Sequence, residues 1–136
     1  MKILPSLVFM IMVFTSCSSD GPINMDQEVI ISQSLYNQTN TDSYTIENAA
    51  IDGDLLILTI QSSGCDGSDW VIKLIDSGAI AESYPVQRFG KIALENEELC
   101  DAIVSREYSI DISSLRVEDQ LYLNLEGWEG QLHYKF

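Results

Sequence analysis

The chain is poor in the residues that carry covalent chemistry and poor in positive charge. Among 136 residues there is one histidine, His133, and there are three cysteines, with no Cys-x-x-Cys and no cysteine near the histidine. Zinc sites and thioredoxin-type redox pairs therefore lack their ligands. No glycine-rich phosphate loop is present, and a single histidine on a strand-like segment, alternating with Leu132 and Tyr134, points to solvent and leaves no base–nucleophile pair to assemble. We expect no catalytic residue and no enzyme. Seven Lys and Arg stand against 21 Asp and Glu, a formal charge of -14. Such a chain repels phosphate backbones, which argues against nucleic acid as a partner. It is also too short for a barrel enzyme or a dinucleotide-binding pair of domains.

A membrane-spanning run is missing too. The longest apolar-dominated stretch, Ile3 to Phe14 after Met1 and Lys2, is twelve residues. Spanning a bilayer takes about 20, whereas twelve suit the apolar region of an export signal. Phe14-Thr15-Ser16-Cys17 resembles a bacterial lipobox, with Phe14 where Leu is usual. That resemblance implies a lipoprotein signal peptide over residues 1–16 and a Cys17 acylated on its sulfur, anchoring the chain to a membrane. The alternative is an ordinary thiol behind a general signal peptide, an exposed liability in an oxidising compartment. Several acyl chains hold stably where one holds marginally. The following Ser18-Ser19-Asp20-Gly21 is similar to the export tags of Bacteroidetes surface lipoproteins, which implies the outer membrane or the cell surface. Loss of residues 1–16 removes one cation, leaving six against 21 acidic groups.

With Cys17 assigned to lipid, Cys65 and Cys100 form an even pair in an exported chain, read as a disulfide. On the chain-entropy model, closing that loop contributes about 4 kcal/mol.

Residues 17–43 are polar and read as a tether, with Val29-Ile30-Ile31 as a first strand at most. From residue 44 to 136 the period is two. Tyr44–Ile51 and Leu55–Gln61 flank the turn Asp52-Gly53-Asp54. Trp70, Ile72 and Leu74 share a face until Asp76-Ser77-Gly78 interrupts the run. Within Val86–Leu94, Gly90 is expected to shift the alternation as a bulge, turning Phe89, Ile92 and Leu94 to the core. Tyr108, Ile110 and Ile112 alternate with polar residues, as do Leu121, Leu123 and Leu125, and Gly127-Trp128-Glu129-Gly130 turns into Leu132, Tyr134 and Phe136. No amphipathic helix stands out. About seven short strands predict an all-β fold, an antiparallel two-sheet sandwich with an immunoglobulin-like architecture; a jelly roll or small open barrel fits the same pattern. The bridge would then tie two loops at one end of the sandwich.

Leu58–Cys65, Asp69–Leu74, Glu98–Ala102 and Tyr108–Leu115 resemble segments of a group of uncharacterised Bacteroidetes lipoproteins. In that group a strand ends in a Gly-Cys loop and a later Cys precedes a strand with a Phe-Asp-Leu-Ser pattern. Ile110-Asp111-Ile112-Ser113 stands in its place here, and the resemblance carries no activity to transfer.

Two binding sites can be written down. A closed bridge would gather Asp66, Asp69, Glu97, Glu98 and Asp101, with Glu95 nearby, into an oxygen-rich cluster of the kind calcium takes, although the spacing matches no EF-hand loop and acidic runs are usually solvated surface. A pair of these carboxylates could also serve glycoside hydrolysis, with nothing to raise them above background. Trp128, at the tip of a turn, and Tyr122, opposite the leucines of its strand, could stack on a sugar or peptide, whereas Trp70 reads as core. The expected protein is a non-catalytic, lipid-anchored envelope accessory domain that meets a protein partner, the alternative being a carbohydrate- or calcium-dependent binding module.

Overall fold

The computed structural model describes residues 27–136, so residues 1–16, read above as a leader, and Cys17 lie outside the described residues. Eight strands form: β1 (Glu28–Ile31), β2 (Thr45–Asp52), β3 (Leu55–Gly64), β4 (Val71–Ala81), β5 (Val86–Glu95), β6 (Ala102–Asp111), β7 (Gln120–Leu125) and β8 (Leu132–Lys135). One sheet has the order β1-β4-β5-β7-β8 and the other β2-β3-β6. Alternation puts one side of each strand inward: Leu56, Leu58 and Ile60 from β3, Ile72 and Leu74 from β4, Ile110 from β6, Leu121 and Leu123 from β7 and Tyr134 from β8 are all fully buried in one core. At roughly 25 cal/mol per Å² of apolar area removed from water, that shared core is what holds the two sheets together. No helix among the described residues is long and apolar enough to cross a membrane.

The fold is all-β and sandwich-like, as the alternation predicts, but the five-stranded sheet is mixed and not antiparallel. β1 pairs with β4, and β5 with β7, in parallel. After β5 the chain crosses to the other sheet as β6 and returns as β7 in the same direction, which an alternation pattern cannot reveal. There are eight strands where about seven were expected, and a six-residue helix, α1 (Gln33–Gln38), follows β1. Ser32 caps α1 by accepting from the Leu35 N–H at 3.2 Å, and no residue of the helix is buried. Lys91 on β5 braces the segment: its ammonium lies 4.7 Å from the Tyr36 ring centre, donates to the Thr39 carbonyl at 3.3 Å and pairs with Glu126 at 3.4 Å.

The β2–β3 hairpin closes as anticipated. Gly53 takes φ +59° while Asp54 keeps a negative φ, the type II′ arrangement that matches strand twist. Two local expectations are corrected. Asp76-Ser77-Gly78 does not end a strand; β4 runs through it, bulging between Asp76 and Ile80, because Asp76 has a partner inside the fold. Arg88 of β5 grips its carboxylate in two bonds, 3.0 Å from Nε to Oδ2 and 2.8 Å from Nη2 to Oδ1, with Asp76 wholly buried and Arg88 nearly so. Nor does Gly90 shift β5. Val86, Arg88, Gly90 and Ile92 keep strict inward alternation, and Phe89 lies on the other side. A Cβ on Gly90 would meet Leu74 Cδ1 at 2.9 Å and Leu125 Cδ2 at 3.2 Å, so leucines fill the space that a side chain would need.

Candidate functional site

β3 and β6 stay paired to their last residues, Gly64 opposite Ala102. The cysteines just beyond are thereby brought to 4.8 Å between Cα atoms and are joined as a disulfide at one end of the sandwich. Glu98, in the loop before Cys100, folds its carboxylate back over the loop after β3. Oε2 accepts from the N–H of Cys65 at 2.7 Å and of Gly67 at 3.0 Å, and Oε1 accepts from the N–H of Asp69 at 3.5 Å. Asn96 holds that loop from the other side, donating to the Ser63 carbonyl at 2.7 Å and accepting from the Glu98 N–H at 3.0 Å. A Cβ at Gly64 would collide with the Glu98 carboxylate and press on the Trp70 indole at 3.1 Å, so the clamp needs glycine there.

That clamp engages Glu98, one of the five residues expected to hold calcium. Glu98 is taken up by main-chain donors, and Asp66 accepts from the Ser68 N–H at 2.9 Å in its own turn. Hydrogen bonds from Ser68, side chain and main chain, hold the Asp66 carboxyl below its ordinary range. Asp69, Glu97 and Asp101 are exposed. Among the described residues no group of three His, Cys, Asp or Glu is set to hold a metal ion. The acidic residues share a loop region without facing a common point.

Beneath the clamp lies a feature that sequence reading missed. Trp70, from the start of β4, is buried as core, and Tyr108 of β6 faces it across the sandwich. The indole N–H of Trp70 and the Tyr108 hydroxyl are both buried without a hydrogen-bond partner among the described residues. Both side chains line a polar cavity of about 70 Å³, together with Gln27, Ile72, Gly67, Ser68 and Arg106. Arg106 stands two residues before Tyr108, hence on the same side of β6 but beyond the apolar core. Burial raises the Tyr108 phenol above its ordinary value, so it stays protonated and able to donate. The signal was in the sequence: a lone arginine at the inward period of a strand, two positions from a tyrosine.

The outer side of β5, β7 and β8 is the second region. Gln87, Tyr122 and His133 fall in one cross-strand row. The Tyr122 and His133 rings lie 4.8 Å apart, and His133 Nε2 donates to Gln120 Oε1 at 2.7 Å. Gln131 donates to Gln87 at 2.8 Å and to Asn124 at 3.2 Å, and Asn124 donates to Gln87 at 3.2 Å. This strip carries amides and aromatic rings, with Lys135 opposite Gln120 at its edge. Tyr122 is part-exposed within it. Trp128 is not at an exposed tip: it is half-buried against the core, because its main-chain N–H returns to the Leu125 carbonyl at 3.2 Å and folds the turn inward.

The opposite end of the sandwich is held by a third polar group. The Tyr134 hydroxyl donates to Asp54 Oδ1 at 2.6 Å, Arg116 Nη2 reaches the same oxygen at 2.5 Å, and Arg116 Nε donates to the Tyr134 oxygen at 3.1 Å. The Tyr134 hydroxyl, followed by Arg116, lowers the Asp54 pKa.

No protein-family model matches the chain, and no curated protein matches it. Solved structures do. A protein of unknown function, DUF1344, from Bacteroides vulgatus ATCC 8482 matches with a TM-score of 0.53 at 12% identity, over 81% of this chain and 55% of that one. A protein described as toxin related, from Parabacteroides distasonis ATCC 8503, matches with a TM-score of 0.46 at 20% identity, over 81% of this chain and 59% of that one. The chain thus spans somewhat over half the length of each. At such identity the first likeness is one of fold, and it is to a Bacteroidales protein whose own function is unknown.

Proposed function

We propose that the chain is a lipid-anchored accessory protein of the bacterial cell envelope, tethered through Cys17 and acting by binding a protein partner rather than by catalysis. The observation that carries this reading is the Cys65–Cys100 bridge, prepared by the full β3–β6 register. Such crosslinks persist in oxidising compartments, and an apolar leader ending in Thr15-Ser16-Cys17 supplies the route there. Around the bridge, Leu99 at 95% exposure and Ile103 at 71% present apolar side chains on an otherwise acidic molecule, a place for a partner to dock. Intact mass of the membrane-extracted protein tests the reading. Acyl additions on a chain that begins at Cys17, with a two-hydrogen deficit, are expected; an unmodified chain retaining residues 1–16, or two free thiols at Cys65 and Cys100, would overturn it.

A second reading, glycan recognition, is favoured by the Gln87–Tyr122–His133 strip with its neighbouring amides, since sugars stack on aromatic rings and hydrogen-bond to amides. Tyr122→Ala should then cost about three- to tenfold in affinity on a neutral-glycan array. Trp128→Ala should act mainly through packing. An array silent with the wild-type chain removes this reading and leaves the first in place.

A further inference from the structure

The two buried side-chain atoms at the cavity under the disulfide loop that lack a partner among the described residues, Trp70 Nε1 and the Tyr108 hydroxyl, can both donate, and Gln27, which also lines the cavity, is only part-buried. The Trp70 indole can only donate, the buried Tyr108 hydroxyl has no acceptor among the described residues, and both residues are more than nine-tenths buried, at 5% and 8% exposure. Four of the six cations among the described residues sit in ion pairs, and Arg106, which lines the cavity, does not. The carboxylates nearby are engaged elsewhere, Glu98 by three main-chain N–H groups and Asp66 by Ser68. Burying donors without acceptors is unfavourable, and here two of them stand beside a guanidinium. The volume is about twice the share of one water molecule in the liquid, room for a group of three or four heavy atoms. Ile72 on the cavity wall suits a short apolar stem behind the polar head.

We infer that this cavity is a binding site for a carboxylate group, held by Arg106, the Tyr108 hydroxyl and the Trp70 indole at the disulfide-tied end of the sandwich. A planar anion with two oxygens and a methyl-sized stem matches both the donor set and the space, and guanidinium is the side chain best suited to it. The site is separate from the Tyr122 strip and does not depend on the lipid anchor. A free short-chain acid and the carboxylate end of a longer molecule offer the same chemistry. They differ in whether anything must lie outside the cavity mouth.

The full chain, extracted in detergent, would be titrated with acetate, with the free acid of N-acetyl-alanyl-alanine, and with acetamide and sodium chloride as controls, following the indole N–H resonances of Trp70 and Trp128. A saturable shift of Trp70 with acetate, in the millimolar range expected of so small a ligand, and no shift of Trp128 is the supporting result. Tighter binding of the dipeptide acid would assign the carboxylate to the end of a longer molecule, and equal or weaker binding to a free acid. Arg106→Gln changes an exposed side chain and should weaken binding about tenfold or more, and Tyr108→Phe, which keeps the ring, should weaken it less. Three outcomes overturn the proposal: a linear, unsaturated shift, which leaves a cavity holding water alone; acetamide binding as well as acetate; or acetate affinity unchanged by Arg106→Gln.

Discussion

The two ends of the sandwich solve the same problem in opposite ways. At the hairpin end, where β3 begins, Asp54, Arg116 and Tyr134 satisfy one another without outside help, and Phe136 covers the group with its ring 4.8 Å from Tyr134 and 5.3 Å from the Arg116 guanidinium. At the other end, where β3 stops, a covalent bond and a carboxylate clamped by main-chain N–H groups fix the loops, while two buried donors beneath them have no partner among the described residues. The first arrangement is complete as a structural device. The second is rigid where it needs to be and unfinished where a ligand could enter, and that asymmetry is the reason to look for function there.

Breaking the hairpin half at its most buried polar contact should have the largest effect. Asp76→Ala leaves the Arg88 guanidinium buried without its carboxylate, which should lower the unfolding free energy by about 3–5 kcal/mol in urea melts. The double change Asp76→Leu with Arg88→Met, apolar at both positions, should recover most of that loss; equal loss in single and double variants would mean that the pair is worth more than its desolvation. At the opposite end, Cys65→Ser with Cys100→Ser should cost about 2–4 kcal/mol, released through the freedom of a loop 35 residues in span. The same melts under reductant should reproduce that shift in the wild type and not in the Cys65→Ser, Cys100→Ser variant.

How far each end was legible in the sequence follows from the range of the interactions. The hairpin turn is legible from its turn residues, the inward leucines of β7 from alternation and the cysteine pair from an even count once Cys17 is set aside. Asp76 reads as a strand breaker because its partner sits twelve residues away on another strand, and Gly90 reads as a bulge because the leucine methyls that replace its side chain come from β4 and β7. The parallel pairings leave no trace in period two. Trp128 looks exposed at a glycine-flanked turn until the turn's own hydrogen bond folds it inward. At the disulfide end the acidic residues suggested a cation site through their number, whereas Glu98 and Asp66 are turned to main-chain N–H groups; the donors left over point to the opposite charge of ligand. Composition counts groups, but which are already satisfied is decided only by three-dimensional contacts.

Within the hairpin group, smaller effects separate its members. Tyr134→Phe keeps the fully buried ring and removes the hydroxyl shared by Asp54 and Arg116, which should cost about 1 kcal/mol, read as a fall of the thermal midpoint by several degrees for a domain of this size. A fall no larger than that of an exposed control substitution would show that the triad is ornament and that the two ends differ less than their contacts suggest.

The smallest expected effect is also the most specific, because it is a matter of pH. The Asp54 carboxyl titrates below its ordinary value in the folded chain, first through the Tyr134 hydroxyl and then through Arg116. The folded state therefore binds fewer protons than the unfolded one as pH falls toward and below 4, so the stability Asp54 contributes is fully present above the unfolded carboxylate range and lost on descent through the folded value. Asp111, lowered chiefly by Ser113, and Asp66, lowered chiefly by Ser68, act in the same sense, while discharge of an acidic surface opposes them by relieving repulsion. Comparing Asp54→Asn with the wild type cancels those shared contributions. The two melting curves should lie apart at pH 7 and converge as the pH falls below the unfolded carboxylate range, where Asp54 takes up its proton. Parallel curves over that range would mean that Arg116 and Tyr134 hold each other without the carboxylate, and the hairpin end would then be finished by two groups and not three.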